Sequence, residues 1–257
     1  MTAAEVQSVG SHVVPAALHC ARLLPVAMLC PFLGGPAVPA IVRIALATAL
    51  GAAAYAAGGT PGAIDGVAFA FAALREVAFG VVLAFVSTVP FEAARAGGRL
   101  VDTLRGATLG ELHVAPMRQR ESATGDLLSH WTVVLAASAG GDRLVVSALL
   151  GTFHAAPVGA PLASAGVEAV LTGGAEILAC AVAIGAPAAA GLVAADLAVT
   201  AAARLSPLLG VPSIAQPARA AVGTLAVALP VALLAGKLTA TVATSAGLVR
   251  LCSRGAP

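Results

Sequence analysis

Aromatic and charged residues are both scarce in this chain. Phe, Trp and Tyr make up 4% of its 257 residues, and Asp, Glu, Lys and Arg together make up only 10%. A soluble globular domain typically carries about 25% charged residues, most of them on its surface. The low charge therefore excludes an ordinary soluble domain, and the few aromatic rings favour close helix contacts over a core filled by bulky side chains.

Motifs for catalysis, metal binding and nucleotide binding are missing. The sequence has no Gly-rich phosphate loop, no dinucleotide fingerprint, no Ser-x-x-Lys, Gly-x-Ser-x-Gly or His-Glu-x-x-His motif, and its five histidines show no metal-ligand spacing. The chain has a net charge of +2 and no run of basic residues, which argues against nucleic acid as a partner. We therefore expect a protein that is not an enzyme, with no catalytic residues, no metal and no cofactor.

Cysteine is rare, and its positions give no sign of a disulfide framework or of a metal site. The four thiols are far apart in the sequence, without a Cys-x-x-Cys pair, and most of them lie in apolar runs where cysteine behaves as a small hydrophobic residue. We expect inert packing thiols at Cys20, Cys30, Cys180 and Cys252.

What the chain has in excess is apolar sequence. Hydrophobic residues make up 59% and the mean hydropathy is +0.97. Six runs reach or exceed the roughly 20 residues that cross a bilayer as a helix; they are 13–33, 37–57, 66–90, 127–156, 165–203 and 216–249. Glycine and proline clusters separate several runs, and Gly140-Gly141-Asp142-Arg143 and Gly185-Ala186-Pro187 lie inside the two over-long ones, which we expect to be broken.

These runs predict an all-α fold. We expect a polytopic membrane-type protein of about six to eight helices with kinked helical hairpins, organised as a single domain over residues 1–257, with one amphipathic charged segment in the middle.

That charged segment lies between Glu92 and Asp126 and holds ten of the 26 charged residues, five of each sign. At 100° per residue, charged side chains from Glu92 to Arg105 fall on one arc, and Ala93, Ala96, Leu100, Leu104 and Ala107 fall on the opposite one. The pattern predicts an amphipathic helix that is not a membrane span, with ion pairs at i,i+3 along one face.

Three glycines fit that helix poorly. Gly97, Gly98 and Gly106 each weaken a helix by roughly 1 kcal/mol relative to alanine. Their presence suggests a close neighbouring backbone or a bend.

The stretch "FEAARAGGRLVDTLRGATLGELHVAPMRQRESATGDLL" resembles the central segment of the FliR/SctT family of type III secretion export-gate proteins. The resemblance continues in order through "ARLLPVAMLCPFLGGPAVPAIVRIALA", "LREVAFGVVLAF", "SALLGTFHAAPVG" and "AADLAVTAAARLSPLLGVPSIAQPARAAVG". Arg105-Gly106-Ala107 is closer to the injectisome branch, SctT, than to the flagellar branch. Arg219 stands where the family usually has lysine.

The resemblance marks a set of structural or gate residues. The candidates are Arg22, Arg43, Glu76, Gly97, Gly98, Asp102, Arg105, Gly106, Asp196, Arg204, Pro207, Pro217 and Arg219.

A function, a location and partners are implied by the same resemblance. The chain would be a subunit of the export apparatus in the bacterial inner membrane, forming part of the gate through which unfolded proteins are secreted. Its partners would be SctR-, SctS- and SctU-type subunits, unfolded secretion substrates and the membrane, and partner helices would cover apolar faces that hydropathy assigns to lipid.

A stand-alone permease for small solutes or ions is the alternative. Arg75 and Glu76 would then form a substrate or proton site within the membrane. Adjacent residues on a helix diverge by about 100°, so each of these two charges is expected to find a partner on another helix or subunit.

Asp196 poses a similar question, because it follows the 19-residue uncharged stretch from Ile177 to Ala195. We expect it to lie at a wet helix end or, in preference, to bind a donor from another helix or subunit.

Overall fold

The computed structural model describes residues 3–35, 38–58, 66–106, 122–159 and 164–205, together with residues 217, 221, 222 and 225. The regular elements that they form are helices, one of them a short 3-10 turn at Pro31–Leu33. The helices are α1 (Ala3–Leu29), α2 (Ala40–Gly58), α3 (Gly66–Leu104), α4 (Ala123–Ser138), α5 (Gly141–Ala155) and α6 (Ser164–Leu205). The predicted all-α class is confirmed.

Four of these helices are long and apolar enough to cross a membrane. The spans are Gly10–Leu29, Ala40–Gly58, Gly66–Leu104 and Gly166–Ala202, and the bent pair α4 and α5 counts as a fifth if it is one broken span. The run 216–249 lies largely outside the described residues.

The break between α1 and α2 follows from proline and glycine. Cys30 precedes Pro31 and has an extended backbone at φ −73° and ψ 122°, as a residue before proline prefers. Gly34 then ends the 3-10 turn at φ 107°, a backbone conformation that glycine adopts readily.

The bend between α4 and α5 was also predicted. Gly140 has φ 76° and ψ 18°, a left-handed conformation that interrupts the helix. The run 127–156 is therefore broken at the Gly140-Gly141 pair, as expected.

Two expectations about the long helices were wrong. The charged segment is not a separate amphipathic helix, because residues 91–104 continue α3 beyond Pro90 without a break. The run 165–203 is not interrupted at Pro187, which lies inside the 42-residue α6. A proline removes one backbone hydrogen bond, and contacts of Ile184 and Gly185 with α3, described below, hold α6 together just before it.

The described residues form two compact units. The first contains those up to Val89 and those from Ala137 to Gly174, and the second contains those from Pro90 to Ala136 and from Ala175 onward. Helices α3 and α6 contribute to both. The single-domain organisation stays a prediction.

Each unit has its own apolar core. In the first, Leu23, Val26, Leu83, Val86 and Leu149 are among the buried residues that α1, α3 and α5 bring together. In the second, a smaller cluster of Ala94, Leu128 and Ile184 joins α3, α4 and α6.

Candidate functional site

The first unit contains a buried ion pair between α1 and α3. Arg22 Nε donates to Glu76 Oε2 over 2.6 Å, and each side chain is only 2% exposed. Charged groups are almost never so deeply buried unless they are paired. Both residues were predicted as family-motif positions, and the structure brings them into contact with each other.

Arg22 also binds the carboxyl end of α5. Its Nη1 donates to the carbonyl oxygens of Thr152 over 3.3 Å and Ala156 over 2.8 Å. The last carbonyls of a helix lack partners within the helix and carry partial negative charge, which a cation stabilises. Arg22 therefore adds a charged donor at the end of α5, where the N–H of Ala156 already donates to the carbonyl of Thr152.

Two aromatic rings enclose the guanidinium group. Its central carbon lies 4.8 Å from the ring centre of Phe79 and 4.5 Å from that of Phe153. Cation–π contacts of this kind strengthen when they are removed from water. Two of the nine aromatic residues of this chain thus lie beside a buried charge.

Glu76 completes the cluster from the other side. Its second oxygen, Oε1, accepts a hydrogen bond of 2.7 Å from the backbone N–H of Gly159, in the segment that follows α5. With its two oxygens, Glu76 holds the arginine of α1 and the backbone after α5. We call Arg22, Glu76 and the groups that they contact, Phe79, Thr152, Phe153, Ala156 and Gly159, the Arg22–Glu76 cluster.

Gly80 allows α1 and α3 to approach at this cluster. A Cβ atom on Gly80 would collide with the backbone oxygen of Arg22. Gly80 lies one turn after Glu76, so it faces the same side of α3. The Glu-then-Gly pattern in "LREVAFG" therefore has a physical reason: the carboxylate reaches Arg22 only because the helix backbones touch.

The second unit buries a carboxylate at the start of α4. Asp102, in the last turn of α3 and 2% exposed, accepts the backbone N–H of Thr124 through Oδ2 over 3.0 Å and also accepts the Ser122 hydroxyl. Ser122 Oγ in turn accepts the N–H of Gly125 over 2.9 Å, as an N-cap side chain does. Asp102 is thus a second cap, and its negative charge lies where the helix dipole stabilises it.

Arginine side chains pair with the carboxylates around Asp102 and the start of α4. Arg105 Nη2 lies 2.7 Å from Asp102 Oδ1, close enough for an ion pair although it is not aligned as a hydrogen bond. Arg95 pairs with Glu92 at 2.6 Å and approaches Asp126 of α4 at 3.3 Å. Of the three predicted i,i+3 pairs, Glu92–Arg95 and Asp102–Arg105 are confirmed, whereas Arg99–Asp102 is not among the ion pairs of the described residues.

The predicted division of this segment into a charged and an apolar arc was partly wrong. Asp102 is buried, whereas Leu104, placed on the apolar arc, is 43% exposed. The side of α3 that packs inward includes Ala93, Ala94, Val101 and both glycines of the Gly97-Gly98 pair. Glycine and alanine predominate on the inward side of α3, and their small size lets the neighbouring helices come very close.

Gly97 and Gly98 provide that close approach in two directions. A Cβ on Gly98 would lie 2.5 Å from Gly125 Cα in the backbone of α4, and one on Gly97 would lie 2.6 Å from Ile184 Cγ2 of α6. Gly185 makes the reciprocal contact with Leu100 of α3. The expectation of a close neighbour is confirmed for both residues.

Gly106 serves the other expected purpose, a bend. Its φ is 77°, and its N–H bonds the carbonyl of Thr103 over 3.1 Å just after α3 ends. Glycine is the usual residue at such a left-handed position after a helix.

Several other candidate residues belong neither to the Arg22–Glu76 cluster nor to the group of residues around Asp102. Arg43 donates to the carbonyl of Met28 over 3.2 Å and so binds the last turn of α1. Asp196 is partly exposed, and because α6 continues to Leu205 it does not lie at a helix end. Arg204 is exposed near the end of α6, Pro217 is an exposed helical residue, and Pro207 and Arg219 lie outside the described residues.

The thiols have packing roles where they are described. Cys20, Cys30 and Cys180 form no disulfide within the described part of the chain, and Cys252 lies outside it. Burial raises the pKa of the Cys30 thiol to about 11, against a smaller lowering by hydrogen bonds from the backbone of Phe32 and Leu33. Cys30 is therefore protonated at neutral pH and a poor nucleophile. Within the described part of the chain, no group of three His, Cys, Asp or Glu side chains could hold a metal.

The sequence identified Arg22, Glu76 and Asp102 as candidates, but it did not identify most of the groups that these side chains contact. Ser122, three residues before Gly125 at the start of an apolar run, carries an N-cap signal that could have been found. Nothing in the sequence indicates that Phe79 or the carbonyl of Ala156 meets Arg22, because these contacts join separate helices.

The chain is similar to known export proteins. A family described as bacterial export proteins, family 1, matches residues 13–244. The chain is 27% identical over 154 residues to the Yop proteins translocation protein T of Yersinia pestis, and the aligned part covers 59% of each protein. It is also 33% identical over 87 residues to the secretion system apparatus protein SsaT of Salmonella typhimurium, with 34% of each covered. The chain thus spans less than two thirds of these relatives.

The family match confirms the resemblance drawn from the sequence, and the two relatives belong to the SctT branch that Arg105-Gly106-Ala107 indicated. The proteins of this family are membrane export proteins rather than enzymes. With its four candidate spans, the chain is a multi-pass protein of the bacterial inner membrane.

Proposed function

The chain belongs to family 1 of the bacterial export proteins, the FliR/SctT family, and we propose that it is a subunit of a type III secretion export apparatus. In that apparatus it forms part of the inner-membrane gate through which unfolded proteins are secreted. The observation that carries the proposal is the family match over residues 13–244, which includes the Arg22–Glu76 cluster and the buried Asp102.

The contacts of Glu76 and Asp102 support a structural role for these buried charges. Glu76 uses one oxygen on Arg22 and the other on Gly159, and Asp102 binds the start of α4. A transported solute or proton would need a charged group that is free to bind and release it. In a permease Glu76 would be the first candidate for that group, yet here it fastens helices to one another.

SctR-, SctS- and SctU-type subunits are the proposed partners. Large apolar side chains are exposed on the long helices; among them are Ile41 at 77%, Leu178 at 70% and Leu197 at 67%. Only 17% of the α2 span and 28% of the α6 span are buried within the chain. Such surfaces need lipid or partner helices, and an assembly of several subunits supplies the latter.

Secretion in the native bacterium tests the proposal. Deleting the gene should abolish export of the substrates of the neighbouring secretion system, and a plasmid copy should restore it. Unchanged export by the deletion strain, or solute uptake into liposomes containing only this purified chain, would favour a permease instead.

A further inference from the structure

The second unit has a polar outer side on α3. Arg99 and Thr103 are exposed there, and Glu92, Arg95 and, in the first turn of α4, Asp126 are partly exposed. Two of these residues are acids and two are arginines, so their charges balance. Beyond Asp126 the exposed residues of α4 are mostly apolar, which limits the polar surface to α3 and the start of α4. We call these five residues the α3 polar face.

The outer side of α6 in the same unit is apolar. Every exposed residue from Leu178 to Leu197 is Leu, Val, Ala or Pro. The larger ones are widely exposed, among them Leu178 at 70% and Val182 at 60%. An apolar surface of this extent is suited to lipid or to other helices rather than to water.

These two sides lie at the same level of the unit and point away from each other. Gly97 of α3 packs against Ile184 of α6, which is the midpoint of the candidate span Gly166–Ala202. Arg99 lies two residues after Gly97, which is about 3 Å along α3 and about 160° around it. Val182 lies two residues before Ile184, at the same distance along α6 and the same angle. Charge and apolar surface therefore occur side by side along the unit, on opposite faces.

The polar face is unsuited to lipid and to an apolar helix. Charged residues in membrane-spanning segments almost always face other helices or a water-filled cavity, because lipid cannot hydrate them. Arg95 pairs with Glu92 and Asp126, but Arg99 takes part in none of the ion pairs of the described residues. From Glu92 to Thr103, no large apolar side chain is exposed. The core of a packed interface needs such side chains.

We infer that the α3 polar face borders a water-filled space through which the secreted chain passes. Water hydrates Arg99 without a fixed partner. The other charges of the face are already paired, so they offer a polypeptide only weak contacts, which suits passage rather than tight binding. The inference rests on the proposed function, because it needs a secreted chain.

Cysteine labelling tests the contact with water. The four native cysteines are replaced by alanine in a chain that still supports export, and opened membrane vesicles from these cells are treated with a positively charged methanethiosulfonate. A thiol reacts as the thiolate, which forms in water and not against lipid. Arg99→Cys should therefore react about tenfold or more faster than Val182→Cys, the control at the same level on α6. Thr103→Cys is the second variant and should behave like Arg99→Cys.

A stalled substrate tests whether that water belongs to the path of the secreted chain. A native substrate fused to a domain that cannot unfold should remain in the gate and lower the labelling of Arg99→Cys to the level of Val182→Cys. The same fusion without its secretion signal is the control and should leave the labelling unchanged.

Labelling of Arg99→Cys and Thr103→Cys no faster than that of Val182→Cys would overturn the inference, because the face would then meet lipid or protein. Fast labelling that the stalled substrate does not lower would also overturn it, because the water would then lie outside the path. If a strain without the chain still exports substrates, the proposed function fails. If export requires the chain but either labelling result fails, only the inference about the α3 polar face fails.

Discussion

Arg22 and Glu76 lie 54 residues apart in the sequence and share one buried contact that ties α1, α3 and the end of α5 together. Arg22 leaves water to form an ion pair, two carbonyl contacts and two ring contacts. Removing one partner of such a pair leaves the other buried without compensation, which makes single substitutions far more damaging than the net value of the pair suggests.

Glu76→Ala should therefore destabilise the protein by about 3–5 kcal/mol. Glu92→Ala is the control, since Glu92 and Arg95 pair at the same 2.6 Å but have side chains 42% and 28% exposed, and it should cost only about 0–1 kcal/mol. Thermal unfolding of the detergent-solubilised assembly measures both. Equal melting temperatures for the two variants would show that Arg22 is not dependent on Glu76.

Asp196 carries a second prediction at this scale. Its carboxylate follows the long uncharged stretch of α6 and is partly exposed within the helix. Asp196→Ala should weaken assembly and export, because a group that donates to the carboxylate would lose its acceptor, whereas Asp196→Asn should retain part of both. Wild-type co-purification and export with Asp196→Ala would reduce Asp196 to a solvated surface residue.

Among the helices, α3 shows how small residues set helix distances. The Gly97-Gly98 pair reduces helix propensity, yet it lets α4 and α6 approach α3 on adjoining sides. Intrinsic propensity disfavours these glycines by roughly 1 kcal/mol each, and the close packing of neighbouring helices offsets that cost.

Gly98→Ala should consequently destabilise the protein although it improves helix propensity. The new Cβ would lie 2.5 Å from Gly125 Cα and 2.6 Å from its nitrogen, which are backbone atoms that cannot rotate away. Gly174→Ala, in α6, is the matched control, because no atom lies within 4 Å of its Cβ position. It should be neutral or stabilising by up to about 1 kcal/mol.

Export and melting temperature should fall for Gly98→Ala and hold for Gly174→Ala. Identical behaviour of the two variants would mean that α3 and α4 are not in contact at Gly98.

The helices could be predicted from the sequence where glycine or proline clusters mark their ends. The apolar runs, the glycine and proline clusters between them and the Gly140-Gly141 pair located α1, α2 and the α4–α5 bend. The continuity of α3 through Pro90 and of α6 through Pro187 could not be predicted, since a proline in a helix is tolerated when packing supports the turn around it. The burial of Asp102 was missed for a similar reason: its partners, Ser122 and the N–H of Thr124, lie beyond an intervening segment.

At the scale of the whole molecule, the charged residues Arg22, Glu76 and Asp102 are buried while many large apolar side chains are exposed. Leu171, Leu178 and Leu197 of α6 are each 67–70% exposed, and two thirds of the α3 span is likewise not buried, with 33% buried. Composition alone predicted a membrane-type protein, and the ordered motifs predicted its family. Neither could distinguish lipid-facing from subunit-facing surfaces, because both are apolar and differ only in what covers them.

Expressing the chain alone and together with the SctR- and SctS-type subunits of its own secretion system tests the export-gate assignment most directly. In detergent, the chain alone should aggregate or be degraded, and co-expression should yield a stable complex that contains it, because its small-residue helix faces and exposed arginines need partner helices. Size-exclusion chromatography with subunit-specific detection distinguishes the two states. A monodisperse, heat-stable monomer that forms no complex with these subunits would contradict the assignment.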